Sequence, residues 1–254
     1  MPFTLAHPAA VLPLRRWLCL PALVAGSVAP DVASYVPVPG GLGATHTLAA
    51  AVGLDVVLGA VVLVVFGIAQ APLAAIAPSG VRARLAVAPW WVARRSFAGV
   101  VVVVVSIAAG AVTHVLWDMV THARSPLVRA WPWLRATVVE PHTVHNVIGY
   151  ASSVGGLVVI GVALARWYRQ TPPAPSTRRR ALSATGCRRL VAALAVAGVA
   201  GAAAGLTDPE AWITGYDVVR HSLIGMIRGL LVVLAGYTLL WHATAARRTR
   251  TRAT

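Results

Sequence analysis

The amino-acid sequence predicts an all-α, polytopic membrane protein with about five transmembrane helices and an N-terminal re-entrant or interfacial element. Three observations carry that expectation. Of 254 residues, 58% are hydrophobic and only 11% are charged, too few charges to clothe a soluble domain of this size. Several apolar runs reach the roughly 20 residues that a helix needs to cross a hydrocarbon core of about 30 Å. Arginines cluster between those runs and favour alternate connections, as loops held on one side of a membrane do.

The first apolar stretch, Trp17–Ala29, is short and is broken by Pro21. It is too short to span, so it is expected to re-enter or to lie at the interface under cover of other helices. Arg15 and Arg16 ahead of it resemble the positive region of a signal peptide. They come late for one, however, and Pro30 follows the candidate cleavage region around Val28–Ala29, so retention is the expectation. Five spans follow, at Thr47–Ala69, Phe97–Val120, Val147–Trp167, Leu190–Leu206 and Ser222–His242. The second contains six consecutive valines, Val100 to Val105. Such a run also suits a buried strand, but the length of the apolar segment exceeds what a strand needs. The fourth is the shortest and is rich in alanine and glycine, a composition for close helix packing.

The net charge is +15. The first connection carries Arg82, Arg84, Arg94 and Arg95. The third carries Arg166, Arg169, Arg178, Arg179, Arg180, Arg188 and Arg189, and the tail carries Arg247, Arg248, Arg250 and Arg252. Those fifteen fall on one side by parity, against four on the other (Arg124, Arg129, Arg135 and Arg220). The arginine-rich side is expected to be cytoplasmic. No basic stripe with interleaved aromatics stands on a soluble domain, so nucleic-acid binding is not expected. Cys19 and Cys187 have no metal-ribbon spacing and read as unpaired thiols. The organisation divides into residues 1–170, a membrane domain bearing the polar cluster; 171–189, a basic linker with Pro172, Pro173 and Pro175; and 190–254, the last spans and a basic tail.

On this threading the imidazoles gather at the non-cytoplasmic ends. His46 opens the first span, and His114, Asp118 and His122 close the second. His142 and His145 precede the third, and His221 precedes the fifth. His242 sits at the other face and reads as interfacial. His7 and Asp31 lie in the N-terminal segment that feeds into His46. Residues four apart share a helix face, so His114, Asp118 and His122 point nearly the same way. An imidazole and a carboxylate one turn apart suit a divalent ion, or a hydrogen-bonded cluster that pins helices. Either arrangement offsets the several kcal/mol it costs to bury such groups in an apolar helix. His142, His145 and His221 read first as interfacial polar residues. Asp55, about two and a half turns into the first span, is a supporting or proton-path residue at most.

Three motifs carry a resemblance. They are Met1-Pro2-Phe3-Thr4-Leu5-Ala6-His7-Pro8, Gly26-Ser27-Val28-Ala29-Pro30-Asp31, and the stretch Thr113–His122. Together they resemble the DUF4184 family of bacterial membrane proteins over roughly the first 160 residues, and beyond it the membrane-bound metal-dependent hydrolases. The resemblance implies a site of His7, Asp31, His46, His114 and Asp118, with His122 as a family-like neighbour. It also implies a multi-pass protein of the bacterial cell membrane. Two departures stand out: Thr45-His46 lacks a preceding arginine, and Gly149-Tyr150 stand before Ala151-Ser152-Ser153 where a Gln-His is expected. The leading expectation is a hydrolase with a divalent metal, Zn²⁺ by its mixed imidazole and carboxylate donors. Asp31 would be its general base, and a lipid or other ester or phosphoester at the membrane interface its substrate. Arg124, Arg129 and Arg135 would attract an anionic headgroup. The alternatives are a non-catalytic membrane scaffold and a metal or proton transporter.

Overall fold

In a computed structural model the protein is helical, and five helices are long and apolar enough to cross a membrane. It is a multi-pass membrane protein. The structure describes residues 3–85, 96–174 and 181–250, with side chains as far as Ala245. Arg94, Arg95, Arg178, Arg179, Arg180 and the side chains of Arg247, Arg248, Arg250 and Arg252 lie outside the described residues. We label the main helices α1 (Leu20–Val28), α2 (Leu54–Ile76), α3 (Phe97–Thr121), α4 (Val144–Gln170), α5 (Ala184–Gly205) and α6 (Gly215–Arg250). A short hairpin, β1 (Thr137–Val139) and β2 (His142–Thr143), joins α3 to α4.

The chain forms two compact units. One comprises Met1–Ala33, Pro37–Gly67 and Ala88–Pro172; the other comprises Ser34–Val36, Ile68–Val87 and Pro173–Thr254.

In the first unit the N-terminal segment is a re-entrant hairpin. Phe3 donates its backbone N–H to Ser153 Oγ on α4 at 2.9 Å, and Ala6 lies against Gly156. The chain then descends through short turns to Arg15 and Arg16 and returns as α1. Nine residues rise only about 14 Å, less than half a bilayer core, so the ends of α1 need partners within the protein. Helix α3 supplies both. Ser106 Oγ accepts the N–H of Cys19, the N-cap of α1, at 3.0 Å. Two turns along α3, His114 Nδ1 donates to the Ser27 carbonyl at 2.8 Å. Between these points Gly26 and Gly110 let the two backbones touch: a Cβ on Gly110 would run into Leu23 O and Ser27 N, and one on Gly26 into Ile107 O. Cys19, Ala22, Ala25, Leu63 and Ile107 fill the core beside this contact.

The first span starts later than its apolar pattern suggests. Thr47 caps a separate turn, Leu48–Ala51, by accepting the Ala50 N–H at 3.0 Å. Helix α2 begins only at Leu54, so Asp55 sits in its first turn and not two and a half turns deep. Helix α3 matches the expected bounds, opened by Ser96, whose hydroxyl accepts the Gly99 N–H. Valine's reluctance in helices is overridden because a span must satisfy every backbone group internally.

In the second unit α5 and α6 pack backbone to backbone. A Cβ on Gly201 would strike the Gly225 carbonyl, and one on Gly229 the Ala197 carbonyl. This is the small-residue packing that apolar solvents favour. Helix α5 starts at Ala184, capped by Ser183, so Arg188 and Arg189 are helical and not part of an extended linker. Arg228, inside the fifth span, donates to the Ser34 carbonyl at 2.7 and 3.2 Å. His242 Nε2 meets the Ile68 carbonyl at 3.0 Å. Gly225→Val is expected to lower the melting temperature by about 5 °C or more, since no side-chain movement relieves a clash with backbone. Gly236→Ala, whose Cβ meets nothing within 4 Å, is the matched control. A Gly225→Val protein that melts with the wild type refutes the close packing.

Candidate metal centre

The re-entrant hairpin explains why residues far apart in sequence meet. His7 and Asp31 stand at its two ends, and both ends reach the level of His114 on α3. A tight turn then delivers His46. Val38-Pro39-Gly40-Gly41 reverses with Gly40 at φ 79°, where the lack of a Cβ matters, and with Gly41 N bonded to Val38 O at 2.9 Å. Thr45 Oγ1 donates to the Pro30 carbonyl at 2.8 Å, tying the residue before His46 to the residue before Asp31.

The result is a buried knot of imidazoles and carboxylates. Asp118 is its hub: Oδ1 lies 3.7 Å from His7 Nε2, and Oδ2 lies 3.4 Å from His46 Nε2, 3.3 Å from His114 Nε2 and 3.3 Å from His122 Nδ1. Asp31 Oδ1 lies 3.4 Å from His46 Nε2 and 3.7 Å from His114 Nε2, while its Oδ2 accepts from the Thr4 hydroxyl at 2.6 Å. The His7 and His114 rings stack with centroids 3.8 Å apart.

Five atoms in this knot are buried and lack a hydrogen-bond partner: His7 Nε2, Asp31 Oδ1, His46 Nε2, His114 Nε2 and Asp118 Oδ1. Buried polar atoms are rarely left so. Their separations suit a cation. Bonds of 2.0–2.2 Å to Zn²⁺ in a tetrahedron set ligand atoms about 3.3–3.6 Å apart. The donor sets His7–His114–Asp118 and Asp31–His46–His114 each converge within 4.8 Å. The opposite ring nitrogens are held by the protein. His114 Nδ1 faces Ser27 O, and His46 Nδ1 faces Leu42 O at 3.2 Å and Thr45 Oγ1 at 3.1 Å. A carbonyl partner keeps a proton on Nδ1, so Nε2 is the nitrogen turned to the cluster.

A family model described as "Domain of unknown function (DUF4184)" matches residues 1–239. The chain belongs to the DUF4184 family. No curated protein and no solved structure matches it.

The other candidates in this DUF4184 chain fall outside the knot or on its rim. His122 is the C-cap of α3, with its Nδ1 also 3.1 Å from the Asp118 carbonyl; its side chain keeps 27% of its surface exposed, against 0% for His114. His145 does not join them. It is buried, but its Nδ1 meets Leu134 O at 3.1 Å and Thr143 Oγ1 at 2.7 Å, pinning the loop before α4. His142 stands exposed against the Tyr150 ring. His221 lies in the second unit, 3.8 Å from Asp208. Three residues that the sequence reading did not assign to the site act on it: Thr4 and Thr45 by their hydroxyls, and Ser27 by its carbonyl. Asp55 is fully buried with both carboxylate oxygens unpartnered.

Electrostatics sort the imidazoles. Burial and the neighbouring His114 push His7 down to about 4, so it is neutral with its lone pair available. Burial pulls His46 down too, but the Asp118 and Asp31 carboxylates, each 3.4 Å from its Nε2, outweigh this and push it up to about 10. Burial raises the Asp31 carboxyl, and the nearby His46 and His114 rings and the Thr4 hydroxyl more than reverse that and hold it below the ordinary range. The metal-free protein thus stores a proton on His46 that a cation must displace. Metal affinity is expected to rise about tenfold per pH unit from pH 6.5 to 8.5 and to fall on acidification, with about one proton released per ion bound. Competition with a chelating dye at several pH values measures the slope, and calorimetry in two buffers counts the proton. A flat profile contradicts the assignment.

Proposed function

We propose that this protein is a membrane-embedded metal-dependent hydrolase. It would act on an ester or phosphoester at the membrane interface. The observation that carries the reading is the set of five buried, unpartnered donor atoms turned on one another. His7, His46 and His114 with Asp118 would hold a divalent cation, for which Zn²⁺ suits the mixed nitrogen and oxygen donors. His122 would close the sphere from the rim. Such an ion supplies Lewis acidity toward a scissile carbonyl or phosphoryl oxygen and acidifies a water toward neutral pH.

Asp31 would then act as general base. Its Oδ1 faces the donors while Thr4 holds Oδ2, so the carboxylate is oriented to accept a proton from an attacking water. Ser27 O and Leu42 O hold His114 and His46 in the tautomer a ligand needs. Arg124, Arg129 and Arg135, exposed in the connection beyond α3, would attract an anionic headgroup. The cluster would face the non-cytoplasmic side of a bacterial cell membrane, with the arginine-rich connections and the tail cytoplasmic.

A hydrolase is favoured over a transporter by where the polar groups stop. Among the described residues of the first unit, buried carboxylates and imidazoles crowd the hairpin-end level of α3, and Asp55 belongs to that level as well. The inner half between α1, α2 and α3 is apolar apart from Ser106. An ion path needs groups across the whole bilayer.

The test is metal analysis of purified protein followed by product release from labelled lipids. Asp31→Asn is expected to keep the cation while the turnover number falls by about 10²–10⁴, the usual worth of a positioned base. Full turnover in Asp31→Asn removes the base. Stoichiometric metal with no release from any ester or phosphoester lipid overturns the hydrolase.

A further inference from the structure

A cavity of about 790 Å³ opens in the first unit, away from the histidine knot. It lies between the tip of the re-entrant hairpin and the C-terminal half of α4. Gly156 marks the level of Ala6, and Arg166 is ten residues further on, about 15 Å along the helix. The cavity therefore faces the end of the span opposite His145.

Its lining has two characters. Arg15, Arg16, Arg166 and Trp167 line it, Arg166 one helical turn beyond Val162 on α4. Val158, Val159 and Val162 line it as well, and these valines are 58%, 48% and 45% exposed. None of the three arginines has a hydrogen bond or ion pair with another described residue; Arg16 alone has a partner, the Trp17 ring at 3.7 Å. Three guanidiniums without a counter-charge, beside apolar side chains, repel one another and attract an anion.

We propose that this cavity is a binding site for an anionic membrane phospholipid. The phosphodiester sits on Arg15, Arg16 and Arg166, and an acyl chain lies along Val158, Val159 and Val162. Its volume suits a bound small ligand. Both halves of the lining are needed to choose the occupant. A soluble anion satisfies the arginines but leaves the valines bare, and a zwitterionic lipid brings its own cation to the arginines. Tryptophan and arginine at the end of a span mark the headgroup level. The site is independent of the metal centre.

The experiment uses the full chain in nanodiscs of equal phosphatidylglycerol and phosphatidylcholine, extracted gently and weighed by native mass spectrometry. Retained phosphatidylglycerol is expected to exceed phosphatidylcholine by at least about tenfold, since each surface arginine favours an anionic lipid several-fold. The combined Arg15→Gln, Arg16→Gln, Arg166→Gln variant is expected to lose that enrichment. Arg188→Gln, Arg189→Gln, on α5, should keep it. On the wild-type chain, a phosphatidylglycerol with a diazirine in its acyl chain is expected to label Val158–Trp167. This needs no variant to fold. Equal retention of both lipids, labelling elsewhere, or displacement by millimolar inorganic phosphate with no acyl-chain label overturns the proposal, the last by marking a plain phosphate site.

Discussion

Replacing His114 by alanine is expected to abolish binding of the proposed divalent cation and, with it, the proposed turnover. His114 is fully buried and shares its Nε2 between both sets of converging donors. Its Nδ1 closes the C-terminal end of α1 through Ser27 O. The substitution removes a donor, opens a cavity under the stacked His7 ring, and leaves a buried carbonyl without a proton. Losing even a supporting partner of a metal ligand costs about 10–100-fold in affinity, and losing the donor itself should exceed that. Metal per chain, measured after a metal-replete preparation, is expected to fall from about one to below about 0.2. The unsatisfied Ser27 carbonyl adds about 1–3 kcal/mol of destabilisation. His114→Asn restores a side-chain amide near Ser27 O and should recover part of the stability but none of the metal. Undiminished metal in both variants would sink the assignment. His145→Ala is the contrast: it is expected to retain the cation, because that ring is engaged by Leu134 and Thr143.

Much of this site was legible before any coordinates. Four-residue spacing placed His114 and Asp118 on one helix face, and the family-like motifs named His7, Asp31 and His46. The arrangement that unites them was not legible. A stretch too short to span can lie at an interface or re-enter, and composition does not separate the two. The choice is made by Ser106 and Gly110, which look like ordinary small residues of a span. They become an end cap and a close-packing surface only once α1 is beside them. The Ser27 carbonyl was invisible for a related reason, since backbone groups carry no sequence signature. The partner of His145 was not legible either, because a histidine ahead of a span gives no sign of whether its ring turns to the cluster or to its own loop. The first span began seven residues late because hydropathy is blind to a Thr47 cap and a break at Val52-Gly53.

Gly110→Leu is the substitution expected to do the widest damage for one changed residue. Helix α3 and α1 touch through backbone at this point, and any Cβ there meets Leu23 O, Ser27 N and Gly26 C. No rotamer relieves that clash, so α1 must withdraw from α3. Withdrawal moves the Ser27 carbonyl off His114 and carries Asp31, three residues past Val28, away from His46 and His114. Thr4 follows, because its hydroxyl is bonded to Asp31. The fold and the candidate metal site are thus coupled through one glycine. A forced backbone shift of this kind costs about 1–3 kcal/mol or more, which for a chain of this size lowers the melting temperature by several degrees. Loss of metal should accompany the loss of stability. The control is Gly161→Leu on α4, where a Cβ meets nothing within 4 Å and the side chain faces open space. A Gly110→Leu protein with wild-type melting and a full complement of metal would mean that α1 does not lie against α3, and the route by which Asp31 reaches the histidines would have to be a different one.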